Sequence, residues 1–392
     1  MDSYEEHLKR TGIMSSNLDA IVSHQLDPGN RKLQRYWLLF YFFALIHFAT
    51  CLYAVMAKND LLRTVSGEFL SHIPGIGIYL QALYAIGSLY PAFLMPILYV
   101  IEGRNEVYFM TDFRQSAVHQ LMLTEPQCKE LSLLFKIASI CHDVYRYCFS
   151  GIGEVMIQLL GFYLVMKKLE TFLSLHAAAI LICLSTHLMY TYKYHSALVL
   201  NFASACICTR YANMRTVSFM DQAVETLISH RSRRRCTKED ITVIMTNYLR
   251  LVDRVQRHNE SVKWILLSLS IVMLPFSALS VSILFMDAMP AFKVLAGVVS
   301  CGITFSLLLG MAYIGSAYSN TLSPYILFNS IQSDPSIHLN WRTKKQLDIL
   351  IKGIASKRQA IGFTCGDFMM YDVSIVANFF MWIVSLILLV LT

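Results

Sequence analysis

Long apolar runs alternate along this chain with long polar stretches. Seven runs are long enough for a helix to cross a bilayer core, which takes about 17–25 mostly apolar residues: Tyr36–Ala57, Ile73–Ile101, Phe149–Met166, Thr171–Ala203, Trp264–Phe285, Ala291–Tyr318 and Val373–Thr392. The second, fourth and sixth exceed the bilayer requirement, so those helices tilt or project beyond it. Strand-like alternation is absent, which argues against an outer-membrane barrel.

The polar stretches also carry helical periodicity. In TKEDITVIMTNYLRLVDRVQRHNESVKW the apolar positions are Ile241, Ile244, Met245, Leu249, Leu251 and Val255. Thr237 with Asp240 three residues on predicts the helix start, and the helix can run unbroken into the fifth apolar run. KKQLDILIKGIASKRQAIGF places Leu347, Leu350, Ile351 and Ile354 on one stripe. Such faces need a partner surface, which predicts a helical bundle beside the membrane. The alternative is separate helices lying on lipid.

Composition agrees with the runs. The chain is 55% hydrophobic and 15% charged, whereas soluble proteins carry about a quarter charged residues. The first 35 residues lack an apolar signal-peptide core, so the Tyr36 run serves as its own insertion signal. None of the 10 cysteines forms a C-x-x-C pair, and Cys206 with Cys208 is too little for a zinc site. They read as buried apolar thiols. A His-Glu-x-x-His pattern, paired intramembrane aspartates and a Gly-rich phosphate loop are all missing. No enzyme activity, metal or cofactor is expected.

The placement of Lys and Arg sets orientation. Twenty-seven lie in the N-terminal segment and the alternate connectors that follow it, against five in the intervening connectors. Basic residues are retained on the cytoplasmic side, so the N-terminus is expected inside and the C-terminus outside. That excludes the G-protein-coupled arrangement, whose N-terminus is outside. The sole N-x-S/T site, Asn259-Glu260-Ser261, then falls in the cytoplasm and is expected to stay unglycosylated. The basic cluster Arg231–Arg235 reads as topology retention with anionic-lipid contact, without a nucleic-acid partner.

The expected fold class is an all-α membrane protein of seven transmembrane helices, with a cytoplasmic N-terminus, an extracellular C-terminus and a cytoplasmic helical anchor layer. It divides into a cytoplasmic segment (1–35), helices 1–6 with long cytoplasmic connectors at 102–148 and 204–263 (36–316), anchor helices (317–372) and a last helix (373–392). The localisation expected is a multi-pass cell-membrane protein.

Two regions carry candidate chemistry. Before the last run, FTCGDFMMYD offers Gly366 as a hinge between a cytoplasmic helix and the span. Asp367 and Asp372 then sit at the helix start, either as charges favoured by the helix dipole or as an acidic inner mouth that concentrates cations. Plotted at 100° per residue, Ser374, Asn378, Met381, Ser385, Leu388 and Thr392 fall within about 40° of one line. This row either packs helices or lines a pore whose Met381 and Leu388 form apolar constrictions.

A small-molecule pocket is expected in the outer halves of spans two to six. Its candidates are Tyr79, Gln81, Tyr84, Gln158, Phe162, His176, His187, Phe276, Ser280, Ser300 and Thr304, each of which also suits plain packing. Pro275 is placed to kink the fifth span. Glu154, one turn inside the third span, either snorkels to the boundary or has a functional role.

The whole plan resembles the arthropod gustatory receptor family and its related odorant receptors: inverted spans, a large intracellular helical layer and a chain ending with its last span. Thr364, Gly366 and Phe368 fit the family's Thr-x-Gly-x-Phe-like turn. Ser385, Leu386 and Thr392 fall where its Thr, Tyr and Gln would stand, so that part of the signature departs from the pattern. The resemblance implies a homo- or hetero-tetrameric, ligand-gated cation channel. Its last helix lines a central pore, and its partners are a small-molecule tastant or odorant, permeating cations and membrane lipid. A secondary transporter and a non-conducting gustatory-receptor-like membrane protein are the alternatives; seven spans give a transporter no even split into half-bundles.

Overall fold

The computed structural model describes residues 42, 45, 46, 48, 49, 123–167, 175–232, 238–268, 270, 290–335 and 337–391, with side chains chiefly over 123–147, 199–228, 238–267, 304–335 and 337–385. Among them the order is α1 (Glu125–Lys167), α2 (Leu175–Ser232), α3 (Lys238–Ser268), α4 (Pro290–Ser319), α5 (Leu322–Ser333), α6 (Trp341–Ala355), β1 (Thr364–Cys365), β2 (Met369–Met370) and α7 (Val373–Leu391).

Three of the helices run through from connector to apolar run. The 43 residues of α1 and the 58 of α2 each join a polar stretch to an apolar run without a break. The 31 residues of α3 continue from Lys238 past Trp264 into the fifth run, with Glu239 and Asp240 in the first turn. The reason is composition: these stretches hold few helix breakers, so nothing ends the hydrogen-bond ladder where hydropathy changes.

The packed end of the molecule gathers α2, α3, α5 and α6. Phe219, Tyr248 and Phe328 form one ring cluster with centroids 5.2–6.4 Å apart. On α6, Leu347, Leu350, Ile351 and Ile354 are all buried, as the stripe predicts. Burying one such side chain stabilises by about 1.5–3 kcal/mol. On α3 the buried face runs through Ile241, Ile244, Met245, Tyr248, Leu251, Val252, Val255 and Val262. Leu249, expected on that face, is exposed, because it stands roughly 100° around the helix from the middle of the stripe.

Polar bonds connect the long helices. Arg210 of α2 pairs with Glu130 of α1, Nε to Oε1 at 2.7 Å. Asn213 of α2 donates to Ser316 of α4 at 3.1 Å and accepts from Asn320 at 2.8 Å. Asn340 caps α6 by accepting from the Thr343 N–H at 2.9 Å. The chain leaving α6 turns through Lys357, whose φ is +63°. It is then clamped from two sides: Tyr248 donates to the Gln359 carbonyl at 2.8 Å, and Thr321 donates to the Ile361 carbonyl at 2.9 Å while accepting from its N–H at 3.0 Å.

Among the described residues no helix is long and apolar enough to cross a membrane. The runs expected to span fall wholly or partly outside the described side chains. For the 19-residue α7, side chains are described without interruption only to Ser385.

Candidate functional site: the hairpin and the final helix

FTCGDFMMYD is a β-hairpin. Thr364 pairs with Met370 and Cys365 with Met369, leaving Gly366, Asp367 and Phe368 as the turn. Gly366 has φ +58°, the left-handed region that costs other residues about 1–2 kcal/mol. The expected hinge residue therefore sits in a turn between two short strands, and the break between α6 and α7 is built by backbone pairing. The sequence pattern missed this because strands of two residues carry no measurable period.

The hairpin is held on α3 by a row of polar groups. The Gly366 N–H donates to the Lys263 carbonyl at 2.9 Å. The Asn259 amide donates to Thr364 Oγ1 at 2.9 Å and accepts from the Thr364 N–H at 2.8 Å. Lys263, itself buried, places Nζ 2.8 Å from Asp367 Oδ1 and 2.6 Å from Glu260 Oε2. Burial pulls the Lys263 ammonium down, but the hydrogen bonds it donates to Asp367 and Glu260 and their charge outweigh it and leave its pKa raised. Asn259 and Lys263 were not among the candidate residues. Their signal was present: Asn259 occupies the apolar face of α3, where an amide has to find a partner.

Asp372 starts α7. Its Oδ1 accepts from the Ile375 N–H at 3.0 Å and from the Ser374 hydroxyl, while Oδ2 stands 3.4 Å from Lys357 Nζ. Burial pushes the carboxyl up, but the Ser374 and Ile375 bonds and the Lys357 charge outweigh this and hold it below its ordinary range. Both expected mouth acids thus have cationic partners, Lys263 for Asp367 and Lys357 for Asp372. The start of α7 is fixed from behind as well. A Cβ added at Gly315 of α4 would lie 2.9 Å from the Asp372 carbonyl carbon, so only glycine lets these backbones meet.

The described part of the polar row of α7 is on its exposed side. Ser374, Asn378, Met381, Ser385 and Leu388 are all exposed. Val376 and Ile383 are buried, and Ile375 and Phe379 pack on the core. At 100° per residue, Val376 and Ile383 stand roughly 180–200° from Ser374. Hence the row lies opposite the face that α7 buries. Ser385 donates to the Met381 carbonyl at 2.8 Å, a bond within the helix.

Of the expected pocket residues, Thr304 is buried in α4, and its hydroxyl meets no polar partner among the described residues. Gln158 and Phe162 fall on α1, His176 and His187 on α2 and Ser300 on α4, with side chains outside the description; Glu154 likewise falls on α1. Tyr79, Gln81, Tyr84, Phe276, Ser280, Pro275 and Thr392 lie outside the described residues. A cavity of about 440 Å³ opens between α5, the end of α6 and the start of α7, reaching Tyr318, Tyr325 and Asp372. Among the described residues no group of His, Cys, Asp and Glu is placed to hold a metal ion.

No protein-family model matches the chain, and no curated protein matches its sequence. In three dimensions it is similar to the insect olfactory receptor OR5 from Machilis hrabei, solved in complex with eugenol. That likeness covers 98% of this chain and 97% of the other, with a TM-score of 0.58 at 11% sequence identity. The chain has the fold of an insect olfactory receptor.

Proposed function

We propose that this chain is one subunit of a small-molecule-gated cation channel of the chemosensory type, with a gustatory ligand, embedded by seven helices with its N-terminus in the cytoplasm. The observation that carries the reading is the direction of the polar row on α7. Ser374, Asn378, Met381, Ser385 and Leu388 face away from the helix's own packing partners. An exposed row of small polar and flexible apolar groups on a charge-free helix is suited to surround an axis shared by several copies. There the hydroxyls and the Asn378 amide contact water and ions, and Met381 and Leu388 form the constrictions. Four subunits, identical or mixed, close such a ring by rotation.

The likeness to an olfactory receptor with bound eugenol supports a small organic ligand. In this reading the ligand sits in the outer halves of spans two to six, lined by the aromatic and hydroxyl residues named above, including Thr304. Asp367 and Asp372 flank the inner mouth. Both are already paired, so they shape the field there as ion pairs and not as a bare acidic ring.

Whole-cell recording from cells expressing the chain tests the reading, using eugenol and a panel of sugars and bitter compounds. The expected result is a ligand-evoked cation current whose selectivity changes in Asn378→Asp and Ser385→Ala. Substrate uptake by a monomeric protein without current would replace the channel with a transporter. Complete silence with normal surface expression would favour a non-conducting relative.

A further inference from the structure

We propose that the cavity between α5, α6 and the start of α7 binds a small amphipathic organic ammonium compound, at a place the chain's own Lys357 occupies when the compound is absent. The cavity measures about 440 Å³ and is walled by Tyr318, Leu322, Tyr325, Ile354 and Asp372. That volume lies in the range of small-molecule sites, which combine apolar walls with a few fixed polar groups.

The rim shows which head group the site prefers. Lys357 Nζ stands 4.9 Å from the centre of the Tyr318 ring and 3.4 Å from Asp372 Oδ2. An aromatic face and a carboxylate on either side of one ammonium are the two groups that recognise organic cations. Asp372 is oriented for this. Its Oδ1 is held by the Ile375 N–H and the Ser374 hydroxyl, which leaves Oδ2 as the oxygen presented to a cation. A full carboxylate charge exceeds the half charge of the helix N-terminus beside it, so a cation is still favoured there. The carboxylate also disfavours anions.

Lys357 is a poor permanent occupant. It is a non-glycine residue held at φ +63°, and its side chain is about half exposed. Its hydrocarbon stem does not cover Leu322, which is 60% exposed. A compound with an ammonium head and an aromatic or hydrocarbon body satisfies Asp372 and Tyr318 as Lys357 does, and in addition covers the apolar wall. This site stands at the base of α7 and is separate from the outer pocket. The proposal does not rest on conduction.

The test is thermal unfolding of the purified full-length protein with 2-phenylethylammonium, compared with neutral 2-phenylethanol of similar shape. The expected result is a saturable rise in Tm with the ammonium and none with the alcohol. In Lys357→Gly, which also suits the positive φ, the half-saturating concentration should fall about tenfold if Lys357 fills the site nine-tenths of the time. In Asp372→Asn, which keeps a helix cap, it should rise. Absence of a saturable shift in both the wild type and Lys357→Gly overturns the proposal. So does an equal response to the alcohol, or a response unchanged in Asp372→Asn.

Discussion

The side-chain amide of Asn259 grips Thr364 by both of its polar ends, donating to the hydroxyl at 2.9 Å and accepting from the backbone N–H at 2.8 Å. These residues are 105 apart in the chain, and the pair fastens the hairpin to α3. Asn259→Ala leaves a Thr364 donor without its partner and should cost about 1–3 kcal/mol, read by denaturant unfolding in detergent. Asn259→Asp keeps the acceptor and should lose less. The same buried amide has no room for a sugar, so glycosidase treatment should leave the protein's mobility unchanged.

Two positive-φ positions should respond in opposite directions. Gly366→Ala places a Cβ 3.1 Å from Leu267 Cδ2 in a backbone that alanine avoids, and should destabilise by about 1–2 kcal/mol. Lys357→Gly relieves similar strain. It gives up an exposed ion pair worth about 0–1 kcal/mol, so its Tm should stay level or rise. A fall as large as that of Gly366→Ala would show that the Lys357 side chain holds the junction.

Acid should loosen the start of α7. The folded Asp372 carboxyl lies below its ordinary range, so its contribution is present above the unfolded pKa and is lost as pH falls through the folded one. Comparing wild type with Asp372→Asn from pH 7 down to about 3, the stability gap should narrow with acidification. A gap independent of pH would mean that only the cap matters and the charge does not.

At the hairpin the dependence reverses. Lys263 has a raised pKa in the fold, so its stabilisation is complete below the unfolded lysine value and disappears as pH rises through the folded value. Lys263→Met should therefore differ from wild type at neutral pH and converge with it in strong alkali. Hydrogen exchange at the Gly366 amide, which is bonded to the Lys263 carbonyl, is a local probe of the same event.

The thiols should label unequally. Cys206, Cys208 and Cys365 are free cysteines. Burial pushes the Cys206 thiol up to about 12 and the Cys208 thiol well up, and burial raises Cys365 despite the bond from its thiol to Ser270. Cys141 is free and exposed. Since the thiolate is the reactive form, a maleimide should modify Cys141 before Cys206, Cys208 and Cys365. Those three should react only on unfolding.

Sequence by itself determined the helices and the phase of their faces. Leu347, Leu350, Ile351 and Ile354 were legible as one buried stripe because a period of 3.6 is a local property. The polar row from Ser374 to Leu388 was legible for the same reason, as a row on one side of one helix. Leu249 marks the limit of that method, since an apolar residue at the edge of a stripe is buried only if a neighbour reaches it. Only tertiary structure decided that Gly366 turns a hairpin, that Asn259 and Lys263 receive it, and that the Val376 and Ile383 face of α7 is the buried one. The seating of the hairpin on α3 depends on contacts between residues about 100 positions apart. Such contacts leave no periodic trace in the chain, because the partner of a polar group is chosen by where the fold brings the backbone, not by its neighbours in sequence.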